Sequence, residues 1–376
     1  MKKLVAVFLG LFVAGLAFGA PSRDQAPLIG IAMPETHVER WIGDGHRLRD
    51  EAVRRGFRAE VMWADANQAV QNTHIQSFIA QGAEVLIIGS INEGVVPVVQ
   101  EAWREGIPVI AYDRIISGSG HYDYFITFNN FEVGRMQGQS IVDALNLSAV
   151  TAANPRTITL FAGSATDGNA FFFFDGAMSV LLPHIDRGAL QVVGPFPRSS
   201  ADMANFMAIA TPYWQAPHAR TRMDNLLTGA AANVRLDAVL SPNDTLARAI
   251  IESLRADARY QGPGQMPVIT GQDAEFDSMM AIWSGDQHMT VFKNTHALAE
   301  AAVLLAYQIH HNLPRSIPGA VLAADIGLGQ IGDTGVRRVQ TFLLEPVLVT
   351  RAQNWSSPMD ANFHTPAQTN QLRGLQ

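Results

Sequence analysis

The stretch IPVIAYDRIISG, residues 107–118, sets Asp113 and Arg114 side by side behind a largely apolar run that ends in Tyr112. A carboxylate and a guanidinium at the end of a buried strand suit a catalytic acid, an ion pair, or a clamp that offers a fixed acceptor beside a fixed donor. The arrangement recurs along the chain. IAM is followed by Arg40 and Trp41, IIGS by Asn92, FAG by Asp167 and Asn169, VLSP by Asn243 and Asp244, VITG by Gln272 and Asp273, and TVF by Lys293. Aromatic residues accompany them in Trp41, Trp214 and the run from Phe171 to Phe174. This mixture of acceptors, donors and flat rings suits a neutral, hydroxyl-rich ligand. Each hydroxyl both donates and accepts, and the C–H face of a sugar ring packs on an aromatic surface. An anionic ligand would call for clustered glycines at a helix N-terminus, or for bases without acids.

The elements that must position these residues alternate. Strand-like APLIGIAM, FRAEVMWA, EVLIIGS and IPVIAYD are separated by amphipathic stretches at 40–56, 68–81 and 93–105. After YFITFNN the alternation restarts with RTITLFAG, LQVVG, DAVLSP and PVITGQD, then HMTVFKN, a long helix over 297–310, and VQTFLLEPVLVT, where Pro346 suggests a bend or an edge. Strands alternating with helices of this length predict parallel sheets covered on both faces. The fold class is therefore α/β, with two successive doubly wound units. Ligands of such sheets sit beyond the carboxyl ends of the strands, where the polar residues recur.

The first nineteen residues read as a secretory signal: a basic MKK, an apolar LVAVFLGLFVAGLAF, and small residues at Ala17 and Gly19 for cleavage near 19–20. The mature chain is expected to be exported and periplasmic. It has no cysteine, which excludes disulfides, thiolate chemistry and a lipid-modified N-terminus, and removes the usual ligands of a structural zinc site. The net charge of −7, without a basic stretch, argues against a nucleic-acid partner. The eleven histidines show no ligand-like spacing. No cofactor and no metal are expected.

The sequence resembles the periplasmic sugar-binding proteins of bacterial ABC importers, in the branch of the xylose-binding and multiple-sugar-binding (glucose/galactose/arabinose) receptors. The strings ERWIGDG, VIAYDR, FNNFEVG, NAFFFFDGAM, RMDNLL, VLSPND, GQDAE and TVFK carry the likeness over nearly all of the mature chain. It implies a type I periplasmic binding protein, with two doubly wound α/β domains joined by three hinge crossings and closing on one monosaccharide. The implied first lobe is 26–127 with 293–325, and the second is 128–292 with 338–350. The third crossing falls at 325–338, and 351–376 forms a polar tail that frays or lies on the surface. By this likeness Asp113 and Arg114 hold sugar hydroxyls, Trp41 packs on the ring with Arg40 beside it, and Trp214 supplies a second stacking surface. Asn169, Asn243 and Asp273 add polar contacts, Lys293 faces the pocket from the hinge, and Asn92, Phe171, Phe172, Arg222 and Asp244 are secondary candidates. No string of the calcium-loop type found in galactose-binding relatives is present.

The implied function is an extracytoplasmic aldose receptor (glucose, galactose or xylose type), a monomer that delivers its ligand to an ABC permease. A chemoreceptor or sensor kinase is the alternative partner. A glycosidase built on Asp113, Asp273 and Asp244 is disfavoured, because Arg114 beside the first acid holds it as an acceptor whereas hydrolysis needs one raised carboxyl. A sugar-responsive regulator of the same fold would need a DNA-binding module ahead of the first strand, and too few residues stand there.

Overall fold

The computed structural model describes residues 26–38 and 40–376; the expected signal peptide lies outside the described residues. In chain order the first unit runs β1 (Leu28–Met33), α1 (Arg40–Arg54), β2 (Arg58–Trp63), α2 (Gln68–Ala80), β3 (Val85–Ile88), α3 (Val96–Arg104), β4 (Val109–Tyr112) and β5 (Tyr124–Phe128). The second runs α4 (Asn130–Ala144), β6 (Arg156–Leu160), α5 (Gly168–Asp186), β7 (Leu190–Val192), α6 (Met203–Ile209), α7 (Ala216–Thr228), β8 (Ala238–Leu240), α8 (Asp244–Ala256), β9 (Val268–Ile269), α9 (Phe276–Ser284) and β10 (Met289–Phe292). Then come α10 (Thr295–His310), β11 (Ala320–Leu322), β12 (Gln340–Leu344), β13 (Val347–Thr350), α11 (Ser357–Asp360) and α12 (Pro366–Arg373).

Strands β1, β3 and β4 are buried at every position, as apolar strands covered on both faces must be. Gly56, Gly82 and Gly106, with φ of 89°, 75° and 72°, turn the chain from α1, α2 and α3 into the next strand, a left-handed position that costs glycine nothing. At the opposite, carboxyl ends of the strands, short polar side chains start the helices. Asn67, Asn129, Asp167, Asn243 and Asn294 each accept a backbone N–H of the first turn.

The first lobe holds a seven-stranded sheet in the order β11-β12-β5-β4-β3-β1-β2, and the second a four-stranded parallel sheet, β7-β6-β8-β9. The antiparallel pair β10-β13 extends the second lobe, since Asp273 N donates to Val291 O (2.9 Å) and Val291 N to Gly271 O (3.1 Å). The chain leaves the first sheet after Phe128 and returns through Lys293 and Asn294 to α10, which packs on α1.

The third crossing differs from the expectation. Residues 340–344 are not part of the second lobe: β12 pairs with β5 in the first sheet, Gln340 opposite Tyr124 through Leu344 opposite Phe128. Val347 then pairs with Phe292 in the second lobe. The passage is thus Glu345-Pro346, where proline cannot donate to a ladder and so ends one strand before the next begins. The C-terminal tail is also corrected. Trp355, Met359 and Leu372 are buried against Met279, Ile282, Phe292 and Val349, so 351–376 is a packed part of the second lobe.

Candidate functional site

Between the lobes, at the carboxyl ends of both sheets, lies a cavity of about 30 Å³. Its walls are Val38, Arg40, Trp41, Asp113 and Arg114 from the first lobe, Asp167, Asn169, Phe173, Trp214, Asn243, Gln272 and Asp273 from the second, and Lys293 at the hinge. Each position follows from the local fold. Asp113 directly follows β4, where φ turns to 62°, and Asp273 follows β9 with φ of 97°. Asn243 caps α8 through Oδ1 (3.0 Å to Leu246 N). Asp167 caps α5 with Oδ1 (3.0 Å to Asn169 N) while its Oδ2 accepts Trp214 Nε1 (3.2 Å).

Three cationic and three carboxylate side chains line this cavity, and they alternate in space. Arg40 lies 3.0 Å from Asp113, 3.1 Å from Asp44 and 3.9 Å from Asp273. Lys293 Nζ is 3.1 Å from Asp273. Arg114 sits between Glu35 (2.8 Å) and Asp167 (2.9 Å). Burial alone would pull the Arg40 guanidinium down, but Asp113, Asp44 and Asp273 outweigh it and hold it well above its ordinary value. Burial opposes ionisation of Asp113, yet Arg40 and Lys293 overcome it and keep that carboxyl below the usual range. Asp167 is pushed up, because burial outweighs the attraction of Arg114.

The pairing is incomplete. Among the described residues, Arg40 Nε, Asp113 Oδ1, Arg114 Nε, Gln272 Oε1 and Asp273 Oδ1 are buried without a hydrogen bond of good geometry, although some lie close to an opposite charge. Three of these, Asp113 Oδ1, Arg114 Nε and Asp273 Oδ1, are held by ion-pair contact alone, and all five face a cavity in which a polar occupant could complete them. The rings are held as firmly. Both Arg40 and Arg114 stack on Trp41, 4.4 and 4.9 Å from its ring centre. Trp214 lies over Gly163, where a Cβ would come within 2.0 Å of the indole.

The two lobes touch through this site. Asn169 Nδ2 donates to Asp113 O (2.8 Å) and Arg114 faces Asp167 across the cleft, while Asn130 Nδ2 donates to Asn169 Oδ1 (2.7 Å) within the second lobe and steadies that amide.

All nine principal candidates read from the sequence line the cavity. The five secondary ones do not: Asp244, Arg222 and Phe172 have structural roles, and Asn92 and Phe171 lie beside it. Asp244 is buried beneath the 271–275 loop, accepting Gln287 (2.8 Å), Thr290 (2.8 Å) and Glu275 N (3.0 Å), and burial pushes its carboxyl well above the usual range. Arg222 lies over Phe161 and donates to Leu160 O (2.7 Å), tying α7 to β6. Phe172, half-buried, packs against the first-lobe core, and Asn92 and Phe171 line a neighbouring cavity. Val38, Asp167, Phe173 and Gln272 also line the site cavity, though they were not named from the sequence as sugar contacts. Asp167 and Gln272 carry the strand-end signal, whereas Phe173 could not be told from its phenylalanine neighbours without the phase of the helix.

Comparison with known proteins agrees with this geometry. Residues 29–312 match the family model described as a periplasmic binding protein domain. This chain belongs to the periplasmic binding protein family. It is 38% identical over 368 residues to the multiple sugar-binding periplasmic protein SbpA of Azospirillum brasilense, covering 97% of each chain. It is 35% identical over 353 residues to the multiple sugar-binding periplasmic receptor ChvE of Rhizobium radiobacter, covering 93% of this chain and 95% of that one. Among solved structures, an ABC transporter solute-binding protein of Clostridium phytofermentans with bound β-D-glucose is similar, with a TM-score of 0.80 and 31% identity over 91% of this chain and 99% of that one. These periplasmic relatives are binding proteins and receptors. Among the described residues, no helix is long and apolar enough to cross a membrane.

Proposed function

We propose that this periplasmic binding protein is a receptor for a neutral aldose, which it captures between its lobes and hands to the membrane permease of an importer. The observation that carries the reading is the balanced lining: three cations interleaved with three carboxylates, flanked by Trp41, Trp214 and Phe173. Glu35 and Asp44 stand behind Arg114 and Arg40, so the neighbourhood has no excess positive charge for an anionic ligand. Sugar hydroxyls can replace the contacts of Arg40 with Asp273, Lys293 with Asp273, and Arg114 with Asp167, satisfying both members of each pair. An occupant touching both lobes is held only when they are closed, and binding therefore shifts the lobe equilibrium. The SbpA and ChvE likeness and the glucose-bound structure support an aldose as that occupant.

The chemistry is that of binding. Asp113 is held below the usual carboxylate range and is a poor proton donor at neutral pH. Asp167 is pushed up, but its oxygens already accept Asn169 N and Trp214 Nε1, which suits a positioned acceptor.

Tryptophan fluorescence of the mature protein, titrated with D-glucose, D-galactose, D-xylose and L-arabinose, tests the proposal, because two indoles line the cavity. Saturable change with one or more sugars is expected, and a dissociation constant near 1 μM would correspond to about −8 kcal/mol. Asp113→Asn and Lys293→Met should each weaken binding about 100-fold, since each strands a buried charged partner. A flat response to all four sugars in fluorescence and calorimetry would refute the reading.

A further inference from the structure

A second cavity adjoins the first, and the two share Arg114 and Asp167 as a common wall. It encloses about 330 Å³, against about 30 Å³ for the inner one. Both lobes build it: Ser90, Asn92 and Ser117 on one side, Thr166, Gly168 and Phe171 on the other. We propose that this outer cavity is a subsite for the second ring of a neutral disaccharide or glycoside whose first ring occupies the inner site; the inference rests on the aldose reading above.

The lining decides the chemistry of the occupant. Three hydroxyls (Ser90, Ser117, Thr166) and the Asn92 amide stand beside Glu93, Arg114 and Asp167, with Phe171 as the one aromatic ring, a mixture of donors, acceptors and a flat face that a second sugar ring can use. The Asn92 Oδ1 is committed to Gly94 N (2.8 Å), which leaves its amide NH₂ as a donor. The one cation, Arg114, is already faced by Glu35 and Asp167, and Glu93 adds a carboxylate. A phosphorylated or carboxylated extension would meet uncompensated negative charge there, whereas hydroxyls would not. The wall itself is breachable. Arg114 Nε and Asp167 Oδ2 lie 2.9 Å apart, yet that nitrogen makes no hydrogen bond of good geometry. A glycosidic link passing beside the pair would supply an oxygen to that nitrogen, which is otherwise held by ion-pair contact alone. Because the subsite is half from each lobe, a second ring would also bridge them and favour closure.

Calorimetric titration of the full chain with D-glucose and D-xylose, and in parallel with cellobiose, maltose and xylobiose, tests this. At least one disaccharide should bind. Thr166→Trp, a change on an exposed loop residue that fills the outer cavity, should weaken it by about tenfold or more while changing monosaccharide affinity less than about twofold. Asn92→Ala should act in the same direction. Monosaccharide binding without any disaccharide binding, or disaccharide affinity unchanged in Thr166→Trp, overturns the subsite and leaves the aldose receptor standing. Absence of binding by every sugar overturns both.

Discussion

Asp113 and Asp273 reach the cavity from opposite lobes by the same backbone turn, each leaving its strand at positive φ, 62° and 97°. Tyr213 and Trp214, at 50° and 57°, do the same in the loop that delivers the second indole. Such conformations cost non-glycine residues about 1–3 kcal/mol each and persist where the surroundings over-determine them, as at binding sites. For Trp214 those surroundings are Gly163 beneath the ring and Asp167 at Nε1. Gly163→Ala places a methyl group 2.0 Å from the indole, so the ring must move and lose its bond to Asp167. Sugar affinity should then fall about tenfold, read by fluorescence titration, with a smaller change in the quantum yield on saturation. The residue types at the strand ends were legible in the sequence, because parallel sheets gather ligands there. Side-chain duties were less so. Asn243 and Asp167 cap helices and also face the cavity, two roles that one sequence position cannot separate.

At the scale of elements, α4 and α5 approach closely enough that their glycines are structural. A Cβ on Gly134 would lie 1.9 Å from Phe173 O, and one on Gly176 would lie 2.1 Å from Phe131 O. The contact fixes the phase of α5, and with it which phenylalanine of the run meets the ligand: Phe173 inward, Phe171 against Phe206, Phe172 toward the other lobe. Gly134→Ala forces the helices apart through backbone, where no side chain can yield. It should destabilise the second lobe by about 2–3 kcal/mol in denaturant unfolding and weaken sugar binding by displacing Asn169 and Phe173. The α/β alternation was readable, since β1, β3 and β4 are continuous apolar runs. Residues 339–350 misled because both halves are apolar: periodicity marks them as strand but cannot show that Glu345-Pro346 hands the chain from one sheet to another.

At the scale of the whole molecule, the C-terminal segment also joins the lobes, beside a cavity that shares Arg40 and Asp273 with the sugar site. Its polar composition suggested a loose tail, but three widely spaced apolar residues, Trp355, Met359 and Leu372, anchor it to the second lobe. From there Phe363 reaches the first lobe: Arg47 lies over its ring at 5.6 Å and donates to its carbonyl (3.3 Å), and His296 of α10 packs at 5.9 Å. His296 and the adjacent His364 are both pulled down to about 4, first by burial and then by the charge of Arg47. Neither Nε2 has a hydrogen-bond partner among the described residues. Asp44, 3.9 Å from Arg47, is already shared with Arg40, and Asp273 and Glu275 line the same cavity as His364 and Arg47. Unfolded histidine titrates near 6.5. A folded value below that contributes stability that is complete above about pH 6.5 and is lost as pH falls toward 4, because the unfolded chain takes up the protons first. With both rings partly exposed, about 1 kcal/mol each is a fair scale after screening. The melting temperature should therefore drop between pH 7 and pH 4.5, and the drop should be smaller in His296→Gln and smaller again in the double variant with His364→Gln. Identical profiles for wild type and the double variant would place the acid sensitivity elsewhere, in the buried carboxylates of the cleft.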